Sequence, residues 1–176
     1  MAEALSPAIP RATEERATEL LKRACEADVT LATAESCTGG LVASLLTDVP
    51  GCSHAFERGF VVYTDEAKVE LLGVDPDLIR GHGPVSEAVA RAMAEGALAR
   101  SRAHLALSVT GYTESTPEPG AVGGLVHFAL ARREDPTLHR RETFGEIGRA
   151  RVRLACLDVG LRMMLDALNE SSERAA

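Results

Sequence analysis

At 176 residues the chain has the length of one domain with a sizeable core. Its formal net charge of −7 lacks the Lys/Arg excess that nucleic acid or an anionic membrane surface demands. Four Phe, two Tyr and no Trp offer little surface for stacking bases, and the longest uncharged run falls short of a bilayer span, so neither nucleic acid nor membrane is expected as a partner.

Residues 1–10, "MAEALSPAIP", carry two prolines and read as a disordered arm, leaving residues 11–170 as one domain and 171–176 as a frayed tail. A helix is expected from Arg11 to Ala27, with Ala17, Leu20, Leu21 and Ala24 on one face. "VTLATAE" (Val29–Glu35) reads as a mostly buried strand that runs into the polar cluster "SCTGG". A second helix is expected from about Gly39 to the Pro50-Gly51 turn. "FERGFVVY" (Phe56–Tyr63) is the next strand. Thr64 is a fitting N-cap for the short helix "DEAKVELL", with Asp65 and Glu66 at its positive end and Gly73 closing it. His82-Gly83-Pro84 reads as a turn, and Ser86 as the cap of a helix carrying Val89, Met93 and Ala97 on one face. "AHLALSVTG" (Ala103–Gly111) is a strand ending in Thr-Gly, followed by a loop rich in Pro, Gly and hydroxyls. "LVHFALARR" and "HRRETFG" form a hairpin across the turn residues "EDPT". The last helix starts near Ala150, with Val152, Ala155, Cys156, Val159 and Met163 inward and Asp158, Arg162 and Asp166 outward. Interleaved helices and strands followed by a hairpin predict an α/β fold, a three-layer sandwich around a mixed, mainly parallel sheet. Ligands of such sheets gather at strand C-terminal ends, where Ser36, Tyr63 and Thr110 fall.

The four cysteines (Cys25, Cys37, Cys52, Cys156) have no C-x-x-C spacing and no leader precedes them, so reduced thiols in a cytoplasm are expected. His54, His82, His104, His127 and His139 are scattered, without the i, i+4 pair of a helical zinc site, and no metal is expected.

Ser36 lies between a strand and a glycine-started helix. That position aims backbone N–H groups at an oxyanion beside the hydroxyl, but a plain helix cap by Ser36 or Thr38 suits the same spacing. Cys37 is either a rival nucleophile at a helix N-terminus or a small buried hydrophobe. Glu35 is either exposed or a partner for a nearby amide. Lys68 sits at the helix end that disfavours a cation, and a neutral lysine near Tyr63 can take a serine proton; a solvated lysine beside Asp65 is the plainer alternative. Thr110-Gly111 with Arg149, Arg151 and Arg153 suits either a phosphate pocket or a turn and a solvated basic face.

Four segments in this order, "TAESCTGGLVASLLTDVPGCS", "FERGFVVYTDEAKVELLGV", "HGPVSEAVARAMAEGAL" and "LALSVTG", resemble the CinA C-terminal-domain family, nicotinamide-nucleotide amidohydrolases, over about Leu20 to Leu168. The resemblance implies a fold of that type and hydrolysis of the carboxamide of nicotinamide mononucleotide to the acid mononucleotide and ammonia, with no metal or cofactor. It implies Ser36 as nucleophile, Tyr63 and Lys68 as its partners, Thr110 and Arg149 as ligand contacts, and the backbone of Cys37, Thr38, Gly39, Gly40 and Gly111 around the substrate. It also implies a homo-oligomer, and a stand-alone version of a domain that elsewhere is fused to a second hydrolase domain. Two features depart from the family pattern. The family's "G-I-A-G-P-x-G-G" is here "GYTESTPEPGAVGG", which removes glycines and adds Glu114 and Glu118, carboxylates that repel a phosphate. Gly148 replaces the aspartate of the family's "G-D-R-x-x-V-R". With this loop, the same chemistry on another small amide, or a catalytically silent domain that binds a nucleotide or a partner protein, are the alternative readings.

Overall fold

Period-two alternation sorts the strand side chains by size. In the computed structural model, which describes residues 8–115, 121–133 and 135–175, strand β1 (Leu31–Glu35) is buried throughout. Strands β3 (Leu105–Gly111) and β4 (Leu125–Arg132) are buried almost to their ends. One face of the sheet carries the bulky residues Leu31, Leu105, Leu107, Val109, Val126, Phe128 and Leu130. Against it pack helix α1 (Arg11–Glu26), helix α2 (Leu41–Thr47) and the long helix α6 (Arg149–Ala175). The opposite face carries Ala32, Ala34, Ala106, Ala129 and Ala131. Small side chains there let helix α5 (Glu87–Ala99) approach closely, flanked by α3 (Asp65–Leu72) and α4 (Pro76–His82). Ser108 sits in the same seam and donates from its hydroxyl to the Ala90 carbonyl at 2.6 Å, so a buried polar group is satisfied where it crosses to α5.

Strand β2 (Phe56–Val61) and the hairpin partner β5 (Leu138–Thr143) complete a five-stranded sheet of order β2-β1-β3-β4-β5. β1 pairs in parallel with both β2 and β3, while β3–β4 and β4–β5 are antiparallel. Four strands therefore run one way and only β4 runs against them, the mixed, mainly parallel sandwich expected. The chain leaves β1 through α2 on one face and leaves β2 through α3, α4 and α5 on the other. β1 thus has neighbours reached by connections on opposite faces, the arrangement that opens a crevice at a strand's C-terminal end.

Some boundaries differ from expectation. Helix α4 fills a segment for which no element is expected from the sequence; Asp75 caps it, accepting from the Asp77 amide at 2.8 Å, with Pro76 in its first turn. A short 3-10 turn spans Ser53–Ala55. α6 continues to Ala175, so residues 171–175 are helix rather than the frayed tail expected. Residues 1–7 of the expected arm, Glu118 in the rewritten loop and Glu134 of the hairpin turn lie outside the described residues. Among the described residues no helix is long and apolar enough to cross a membrane.

Candidate active site

The turn after β1 is built by two glycines and one carboxylate. Gly39 and Gly40 have φ of 61° and 88°, the left-handed region that a side chain disfavours, and Gly40 is the N-cap of α2. No side chain caps α2 in the usual way, so neither Ser36 nor Thr38 is the helix cap. Glu35 takes that part from a different place. Its carboxylate is fully buried and accepts from the Val42 amide at 3.0 Å, the Ala43 amide at 2.8 Å and the Thr33 hydroxyl at 3.2 Å. A negative charge is thereby placed on the positive end of α2 with three donors to hold it. Of the two readings open for Glu35, the exposed one fails.

Ser36 sits directly on this anchored base. Its own amide donates to the Val109 carbonyl of β3 at 2.9 Å and its carbonyl accepts from the Gly39 amide at 3.1 Å. Cys37 follows Ser36 on the cleft wall, and its amide has no backbone acceptor among the described residues. The turn is held from the other side by α6: Arg153 donates to the Thr38 carbonyl from Nη2 at 2.7 Å and from Nε at 3.3 Å. Arg153 is thus committed to the backbone, whereas sequence spacing grouped it with Arg149 and Arg151 as one basic face. A cation one helical turn after Arg149 was the available signal, but nothing in it pointed to a carbonyl 115 positions upstream.

Cys37 belongs to the hydrophobic core beside Cys156. The neighbouring Cys37 thiol, and burial after it, push the Cys156 thiol well above its usual range. That pairing suits small buried hydrophobes, and no disulfide links the cysteines.

The crevice at the end of β1 and β3 is a cleft of about 360 Å³ whose walls include Ser36, Cys37, Tyr63, Lys68, Thr110 and Arg149. Residues scattered over more than a hundred positions are brought to one place by the parallel β1, β2 and β3, which all end at this edge. Gly111 also lines it; Thr38, Gly39 and Gly40 do not, and instead form the turn behind the wall. Tyr63 lies two residues beyond β2 and is 67% exposed, at the rim. Lys68 is only 2% exposed, so the solvated reading does not hold, although Asp65 is indeed its partner, with Nζ donating to Oδ1 at 3.0 Å. Asp65 is itself part of the wall, a residue whose spacing three before Lys68 was the available sign. Thr110 donates from its hydroxyl to the Pro84 carbonyl at 2.9 Å, which ties the end of β3 to the loop before α5. Arg149 opens α6, is half exposed, and stands 3.6 Å from a carboxylate oxygen of Glu114. Among the described residues no cluster of three or more His, Cys, Asp or Glu is placed to hold a metal ion.

The CinA C-terminal domain family matches residues 13–168. A CinA-like protein of Chlorobium phaeovibrioides is 42% identical over 168 residues, covering 92% of this chain and 38% of that protein. Among solved structures, the competence/damage inducible protein CihA from Agrobacterium tumefaciens superposes with a TM-score of 0.85 at 40% identity, over 95% of this chain and 99% of that one. A competence-damaged protein (CinA) superfamily member from Escherichia coli gives 0.83 at 30% identity, over 90% and 93%. The chain spans between 20% and 38% of the length of curated relatives such as those from Chlorobaculum tepidum and Chlorobium phaeovibrioides.

Proposed function

The chain belongs to the CinA C-terminal domain family, and from that premise we propose that it is an amidohydrolase that cleaves the carboxamide of nicotinamide mononucleotide to nicotinate mononucleotide and ammonia. The observation that carries this reading is the meeting of Ser36, Tyr63, Lys68, Thr110 and Arg149 around one cleft. In the proposed reaction Ser36 Oγ attacks the carboxamide carbon. Lys68, fixed by Asp65 and assisted by Tyr63, takes the serine proton and delivers one to the departing nitrogen, so the carbon–nitrogen bond breaks and ammonia leaves. Water then hydrolyses the acyl-serine to the acid and restores Ser36. The Cys37 amide, on the cleft wall beside Ser36, receives the charge on the tetrahedral oxygen, an effect of about 3–4 kcal/mol for a well-placed donor. Thr110 and Arg149 hold the nucleotide.

The test is ammonia release from nicotinamide mononucleotide by the purified chain and by Ser36→Ala. Turnover in the parent and a loss of about 10³-fold or more in the variant is the expected result. Turnover that survives in Ser36→Ala moves the nucleophile elsewhere, first to Cys37.

A second reading keeps the chemistry and changes the amide. The Glu114 carboxylate beside Arg149 favours it, because that pairing lowers the pull of the cleft on an anionic tail. A panel of small amides scored by ammonia release separates the two.

A further inference from the structure

We propose that Glu114 is a specificity-determining residue of this cleft, an internal carboxylate that competes with a substrate phosphate for Arg149. The inference rests on the amidase reading above and concerns which substrates that site prefers.

The cleft walls offer two basic side chains, and they are not equivalent. Lys68 is buried and already paired with Asp65 at 3.0 Å. The donors at the start of α2, a natural anion site, are occupied by Glu35. Arg153 is committed to the Thr38 carbonyl. An anionic substituent entering the cleft is left with Arg149, and Glu114 Oε2 is there first, 3.6 Å from Arg149 Nη2.

The residues on either side of Glu114 are tied down. Thr113 before it is buried. Ser115 after it donates to a carboxylate oxygen of Glu146 at 2.6 Å and accepts from the Gly123 amide at 3.1 Å, which ties the loop across its own base. A phosphate reaching Arg149 must displace this carboxylate or sit beside it against like charge. An amide with a neutral tail meets no such competition. Both partners are about half exposed, so solvent screens the pair and its effect is modest.

The experiment compares the parent chain with Glu114→Gln on nicotinamide mononucleotide and on the corresponding unphosphorylated nucleoside. The variant is expected to raise the ratio of kcat/KM for the phosphorylated over the unphosphorylated amide by about threefold to fivefold at low salt. The gain should shrink as ionic strength rises. A parallel titration with inorganic phosphate, followed by calorimetry or by the Arg149 side-chain resonance, is expected to show the same factor in affinity. Should the parent release ammonia from neither amide while Glu114→Gln binds phosphate more tightly, the amidase reading falls and the role of Glu114 stands. Equal change on both amides, or identical phosphate affinity in the two chains with native circular dichroism, overturns the proposal.

Discussion

A buried carboxylate with three donors is costly to disturb. Glu35 leaves no lone charge in the core because the Val42 and Ala43 amides and the Thr33 hydroxyl surround it. Glu35→Ala orphans the buried Val42 amide and the part-buried Ala43 amide at once, and the expected loss is about 2–4 kcal/mol of unfolding free energy, read as a lower urea midpoint at unchanged slope. Glu35→Gln keeps an acceptor oxygen and is expected to lose less. Equal losses in the two variants would mean that the charge, rather than the accepting geometry, is what matters. The role of Glu35 was not legible in the sequence. The strand "VTLATAE" announces burial, yet whether its terminal carboxylate turns outward or back onto the following helix depends on where α2 lands. The turn that carries Ser36 was legible in the same segment, because a strand, a polar cluster and two glycines specify a turn by local rules alone.

At the scale of elements, the seam between α5 and the sheet depends on what is missing from it. The alanines of β1, β3 and β4 allow α5 to sit close, and Gly96 of α5 meets α3 with no side chain between them. A Cβ at Gly96 would lie 2.2 Å from the Leu72 carbonyl oxygen, a backbone atom that cannot swing aside. Gly96→Ala improves helix propensity by up to about 1 kcal/mol, but the clash outweighs it, and a net destabilisation of about 1–3 kcal/mol is expected. A rise in Tm for that variant would show that α3 moves freely. Helices α1, α3 and α5 and the hairpin were legible because caps, periodicity and turn residues agreed with one another. Helix α4 was missed although Asp75-Pro76 is a good start signal, since its seven residues carry too few apolar positions to show a period. The separation of α2 and α6 from α3, α4 and α5 onto opposite faces was not legible; it follows from the size of the strand side chains, Leu, Val and Phe on one side and Ala on the other.

For the whole molecule, acid is the informative stress. His127 of β4 and His139 of β5 stack with ring centroids 5.2 Å apart, Nδ1 of one 3.0 Å from Nε2 of the other. Burial lowers both below the usual 6.5; at His127 the partner ring and Arg141 add to the shift and Glu87 opposes it, and at His139 Glu87 opposes it while Arg91 adds to it. The folded state therefore binds fewer protons than the unfolded chain as pH falls below 6.5, and stability that is complete above that value is lost on acidification. Glu57 and Glu87, held low chiefly by Arg58 and Arg91, contribute a separate loss that begins only below 4.5. A urea midpoint that drops between pH 7 and pH 5, and drops less in His127→Gln/His139→Gln, is the expected result. An unchanged drop would assign it to other groups. The anchored turn at the end of β1 has one more consequence. Ser36 and Lys68 ride on a frame fixed by two helical layers, whereas Glu114 lies on the segment between β3 and β4, outside that frame. If the proposed role of Glu114 holds, a change at one loop position shifts substrate preference, and natural variation in this fold is expected to concentrate in residues 112–124 while the serine turn stays put.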